Sequence, residues 1–111
     1  AASSFSLRDL FFVKYEAKEG EQRAVGLHRD GSSLSFNVLL NHASDFVGGG
    51  TYFDYPVNKT FKIDKGAVLV HSGKRSHAGV EITSGRRFLL VGFIDLASEP
   101  AIELHFQDHT P

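Results

Sequence analysis

The sequence contains no cysteine, methionine or tryptophan, and only three prolines in 111 residues. Without cysteine there is no disulfide staple and no thiolate metal site, so any metal centre must be built from His, Asp and Glu. No apolar run approaches the roughly 18–20 residues that a membrane-spanning helix needs, and no signal peptide is recognisable. A membrane is therefore not an expected partner. One-sided charge is missing too: 12 Lys and Arg stand against 13 Asp and Glu, a net charge of −1. Only Gly73-Lys74-Arg75 and Gly85-Arg86-Arg87 are locally basic. That leaves no polybasic face and excludes nucleic acid as the expected partner. The chain begins with Ala and has no Met anywhere, so it is expected to be a fragment or processed domain of a longer protein. Neither compartment nor oligomeric state is legible.

What is present is an ordinary globular composition, 41% hydrophobic and 12% aromatic with ten Phe. Its length fits a single domain, 1–111. Runs rich in aromatic and β-branched residues predict strands at 8–17, 24–30, 33–41, 51–55, 61–63, 67–72, 77–82, 86–96 and 101–108. Turn signals separate them: KEGEQ, DGS, the triple glycine 48–50, DKG and TSG. The last strand, 101–108, is placed at a sheet edge. No segment carries a helical period. The expectation is an all-β jelly roll: two facing antiparallel sheets, little helix, and a mouth at one end where ligand and metal sites favour a position.

His28 and Asp30 form an H-x-D pair at a strand end. Residues i and i+2 point to one face, so an imidazole and a carboxylate can converge on one ion. His77 opens a later strand and can add a third ligand. Two His and one carboxylate on one face of an octahedral ion is the facial triad of non-haem iron, with the opposite face left open. A closed tetrahedral zinc site would need a fourth protein ligand. Ten residues after His77 stands Arg87, inside an otherwise apolar strand. A buried guanidinium is costly without an anion, and its planar fork grips a carboxylate bidentately. His71 is the nearest rival to His77, and Arg86 to Arg87; two strand neighbours face opposite ways, so only one of the arginines can serve. His42, His71, His105 and His109 are otherwise read as core or surface histidines. The glycines 48–50 are no phosphate loop, since no G-K-[ST] follows; they mark a bulge or a close backbone approach.

From about residue 11 to 96 the chain resembles the double-stranded β-helix core of the 2-oxoglutarate/Fe(II) oxygenases, and within them the prolyl 4-hydroxylase and procollagen lysyl hydroxylase group. The matching pieces are FFVKY, GLHRDGS, LSFNVLLN, the GGGTYF segment, KGAVLVHSG, RSHAGVEITSGRR and FLLVGF, in family order and spacing. The resemblance assigns iron to His28, Asp30 and His77, and the distal carboxylate of 2-oxoglutarate to Arg87, where prolyl 4-hydroxylases usually carry Lys and lysyl hydroxylases Arg. It matches Tyr15 to a family tyrosine lining the co-substrate pocket, beside the plainer reading of a core aromatic. Ser35, Asn37 and Leu39 share one strand face, which the resemblance turns inward; Asn37 is then placed to hydrogen-bond the co-substrate or a metal-bound water. The implied cofactors are Fe(II), 2-oxoglutarate and dioxygen (O2), with ascorbate as a candidate reductant. The implied activity is oxidative decarboxylation of 2-oxoglutarate to succinate and CO2, coupled to hydroxylation of a C–H bond in a peptidyl prolyl or lysyl residue. A hydroxylase of a small molecule such as a free amino acid, and a catalytically silent jelly-roll binding module, are the alternatives.

Overall fold

A computed structural model describes residues 4–97 of the chain. Nine strands run through them: β1 (Ser4–Glu16), β2 (Val25–His28), β3 (Leu34–Leu39), β4 (Phe46–Gly48), β5 (Thr51–Phe53), β6 (Lys59–Phe61), β7 (Val68–His71), β8 (His77–Gly79) and β9 (Ile82–Ala97). A single 3-10 turn, Ala43–Asp45, precedes β4. The larger sheet has the order β1-β9-β3-β7, with β4 added to the start of β9; the smaller has the order β2-β8-β5-β6. All ladders are antiparallel. This is the two-sheet, all-β architecture that the short strands and turn signals imply.

The two longest strands carry the larger sheet. Their register sets Phe11 opposite Val91, Val13 opposite Leu89 and Tyr15 opposite Arg87. Because side chains alternate along a strand, these pairs share the face turned toward the smaller sheet. Strand β3 adds Ser35, Asn37 and Leu39 to that face, all buried. The packed core is small and gathers around Tyr15, Leu39, Ile82 and Leu89 at one end. Beside it the sheets leave a cavity of about 330 Å³.

The outward face of the larger sheet is apolar as well. Leu10, Phe12, Val68 and Val70 are exposed there. Phe36 lies over Gly92, whose missing Cβ leaves room for the ring.

Three expectations from sequence need correction. The tripeptide Thr83-Ser84-Gly85 is no turn: the chain reverses at Val80-Glu81, and β9 runs unbroken from Ile82. Gly85 pairs with Phe46 at a φ of 80°, so its freedom serves a close strand approach instead. Strand β4 is unexpected altogether; its three residues lead into the glycine run. Strand β6 covers Lys59–Phe61 in place of the expected 61–63, because its ladder with β5 runs from Phe53↔Lys59 to Thr51↔Phe61 and goes no further. The strand expected at 101–108, with His105 and His109, lies outside the described residues.

Candidate metal and co-substrate site

The smaller sheet assembles the first part of the site. Strand β8 lies between β2 and β5, and its first residue, His77, faces His28 on one side and Phe53 on the other. Asp30 follows two residues after β2 ends. His28 Nε2 lies 3.1 Å and His77 Nε2 3.3 Å from the same oxygen, Oδ1 of Asp30. The three ligand atoms all fall within 4.8 Å of one another. First-row divalent ions bind such atoms at about 2.0–2.2 Å, which sets adjacent octahedral ligands about 3 Å apart. The two imidazole-to-carboxylate spacings fit that requirement.

Both rings are oriented by their other nitrogen. His28 Nδ1–H donates to the Gly26 carbonyl at 2.8 Å and His77 Nδ1–H to the Arg75 carbonyl at 2.8 Å. This choice of tautomer leaves a bare lone pair on each Nε2. The loop between β7 and β8 holds Asp30 as well: the Gly73 carbonyl accepts from the amides of Asp30 at 2.8 Å and Gly31 at 2.9 Å. One short loop therefore fixes two of the three candidate ligands. The side chain of His77 is buried, packed against Phe53 and His71, whereas that of His28 is 41% exposed.

The larger sheet contributes the second part. Arg87 is only 3% exposed. Its guanidinium lies 5.5 Å from the Tyr15 ring centroid, and Nη1 reaches the Gly50 carbonyl only at 3.5 Å. Among the described residues no carboxylate pairs with it. Burial draws its pKa below the usual guanidinium value, yet an arginine stays protonated in a protein. The result is a buried cation with most of its donors open, a site that calls for an anion. Burial pushes the Tyr15 hydroxyl up from its ordinary pKa, so it remains a neutral phenol.

The glycine run shapes this end of the cavity. A Cβ on Gly49 would press on Arg87 Cδ and Ile82 at 3.2 Å each, so the close backbone approach expected there is against the arginine. Asn37 lines the same cavity, and its Oδ1 is buried with no hydrogen-bond partner among the described residues. An amide can be turned over to present Nδ2 instead; either way a polar group waits for a partner.

The cavity thus brings His28, Asp30, His77, Arg87, Tyr15 and Asn37 to one place. Arg86 points the opposite way and donates to Glu16 Oε2 at 2.6 Å. His71 lies in the cavity wall, edge-on to His77 with 4.5 Å between ring centroids, but outside the three-residue ligand cluster. Burial holds its pKa below the usual histidine value, which favours a neutral imidazole in the wall. Sequence reasoning turns Ser35 inward with Asn37 but gives neither it nor Ser32 a role; both stand behind Asp30, and Ser35 Oγ donates to Asp30 Oδ2 at 2.6 Å. The available signal is a run of polar residues at inward positions of an apolar strand.

No protein-family model matches the chain. Curated proteins do. The procollagen-lysine,2-oxoglutarate 5-dioxygenase of Drosophila melanogaster is 33% identical over 88 residues, and the multifunctional procollagen lysine hydroxylase and glycosyltransferase LH3 of Rattus norvegicus 35% over 88. Each alignment covers 77% of this chain and 12% of the relative, so the chain spans about an eighth of the length of these proteins. Among solved structures, a 2OG-Fe(II) oxygenase family oxidoreductase from Burkholderia pseudomallei superposes with a TM-score of 0.70 at 20% identity, covering 86% of this chain and 47% of that one. The first two establish homology to a segment of the lysyl hydroxylases, and the third establishes the fold.

Proposed function

We propose that this chain, a 2-oxoglutarate/Fe(II) oxygenase by its homology to procollagen lysyl hydroxylases, is the metal- and co-substrate-binding core of an enzyme that hydroxylates a peptidyl lysyl or prolyl residue. One observation carries the reading. Two imidazole nitrogens converge on one carboxylate oxygen in the same cavity that holds a buried arginine with no anionic partner among the described residues.

In this reading His28, Asp30 and His77 hold Fe(II), and Arg87 pairs with the distal carboxylate of 2-oxoglutarate. With dioxygen as oxidant, the bound metal and co-substrate supply the oxidising chemistry and release succinate and CO2. The protein's own part is positional. Gly26 and Arg75 carbonyls fix the two rings, and Gly73 fixes the Asp30 backbone. Tyr15 stays protonated under the guanidinium, and Phe11, Val13, Leu89 and Val91 give the cavity an apolar side. The peptide substrate is argued from the relatives, which are named for procollagen lysine. Arg87 adds weight on the lysyl side, because it stands where the prolyl enzymes usually carry Lys. A silent binding module fits less well, because all four chemically required positions are filled.

The test is an anaerobic titration of metal-free protein with Fe(II) and then 2-oxoglutarate, followed by visible absorption. The expected result is a charge-transfer band of the chelated keto acid, lost in Asp30→Ala. Iron binding without a band would leave a metalloprotein that does not use this co-substrate. A folded sample that takes up no iron would refute the reading.

A further inference from the structure

Behind Asp30 lies a chain of buried hydroxyls. Ser35 Oγ is 2.6 Å from Asp30 Oδ2 and 2.7 Å from Ser32 Oγ. Ser35 is 1% exposed and Ser32 0%. A serine hydroxyl has one proton to give. The carboxylate can only accept, so the Ser35 proton goes to Asp30, and Ser32 must be the donor in the serine–serine bond. The order of donation is therefore Ser32 to Ser35 to Asp30. The fold makes room for it at Gly73, where any Cβ would collide with Ser32. That same glycine's carbonyl holds the Asp30 and Gly31 amides.

The two carboxylate oxygens of Asp30 thus have different tasks. Oδ2 accepts from Ser35 behind it, and Oδ1 lies 3.1 Å and 3.3 Å from the two imidazole nitrogens. We infer that Ser35 is a positioning residue that holds Asp30 so that it offers a metal a single oxygen. This rests on the metal reading given above. A carboxylate limited to one oxygen leaves one more coordination position free than a chelating one. Under that reading, open positions beside the three protein ligands would be needed for the co-substrate and the oxidant. Partners that orient a ligand in this way typically contribute ten- to a hundredfold in metal affinity.

Threonine and valine have nearly the same shape and differ in the hydroxyl, and Ser35 lines the cavity. The experiment measures Mn(II) affinity calorimetrically for the wild-type protein, Ser35→Thr and Ser35→Val, with thermal midpoints of the metal-free forms as the fold control. Ser35→Thr is expected to bind within about threefold of wild type and Ser35→Val about ten- to a hundredfold more weakly. Equal affinity in all three would overturn the positioning role and leave the metal site standing. Equal loss in Thr and Val would also overturn it, because the hydroxyl would not be the cause. Absence of Mn(II) binding in folded wild-type protein would overturn the metal reading itself.

Discussion

Arg86 and Arg87 are adjacent in the chain and lie on opposite faces of the same sheet. Arg86 donates to Glu16 on the outside, while Arg87 is buried beneath the glycine run beside Tyr15. Only Arg87 of the two lacks an anion among the described residues, so they should separate cleanly by substitution. Arg87→Ala is expected to weaken 2-oxoglutarate binding by about 1.5–3 kcal/mol, on the order of ten- to a hundredfold, the usual contribution of a charge-assisted hydrogen bond. Metal binding should persist, since Arg87 touches none of the three candidate ligands. Arg86→Ala should change neither. Co-substrate titration of the two variants decides the matter, and an effect confined to Arg86→Ala would reverse the assignment.

The outer arginine has a signature in pH. The hydrogen bond from Arg86, with help from Lys14, holds the Glu16 carboxyl below its ordinary pKa of 4.5. A carboxylate whose pKa is lowered by folding stabilises the protein above its unfolded pKa, and that stabilisation is lost as pH falls through the folded value. The difference in thermal midpoint between wild type and Arg86→Ala should therefore hold from neutral pH to about pH 5 and shrink below about pH 4.5. A difference that persists undiminished at pH 3 would mean that the pair is not its source.

Much of the site is legible in residue types and parity. H-x-D at a strand end and an arginine inside an apolar run are chemically odd wherever they occur, and the alternation rule alone sets Arg86 and Arg87 on opposite faces. The elements that escape such reasoning depend on distant contacts. Gly85 looks like a turn residue in isolation. It lies within a strand because β4, far from it in the chain, comes so close that only a glycine fits. The role of the serines behind Asp30 is hidden as well: parity turns Ser35 inward, but only folding brings Ser32 to it and aligns Ser35 on a carboxylate. The long apolar run in β9 conceals something else. Its lack of alternation reflects a sheet that is apolar on both faces, with Leu90 and Ile94 outward and Leu89 and Val91 inward.

Gly85 offers a direct stability test. An added Cβ would run into the Asp45 carbonyl, and the φ of 80° is itself unfavourable for an L side chain. Gly66 has a similar φ, 82°, but open space around it. Gly66→Ala is expected to cost about 1 kcal/mol from conformation alone. Gly85→Ala should cost roughly 2–4 kcal/mol, because the approach of β4 must give way as well. Chemical denaturation of the two variants measures the difference. Equal costs would show that the backbone approach at Asp45 relaxes freely.

The two candidate histidine ligands should fail in different ways. His28 ends β2 with its side chain 41% exposed, and its ring is held by the local bond to Gly26. His77 is 8% exposed at the side chain and packs between His71 and Phe53. Alanine at either position removes one of three ligand atoms, so metal binding should be lost from both. The metal-free proteins should differ. His28→Ala is expected within about 0.5 kcal/mol of wild type, as for most exposed substitutions. His77→Ala leaves a gap in an aromatic cluster and is expected to cost about 1–3 kcal/mol. Denaturation in the presence of a chelator, paired with metal titration, separates the two effects. If His28→Ala bound metal as tightly as wild type, the third ligand would have to be sought elsewhere in the cavity wall, beginning with His71.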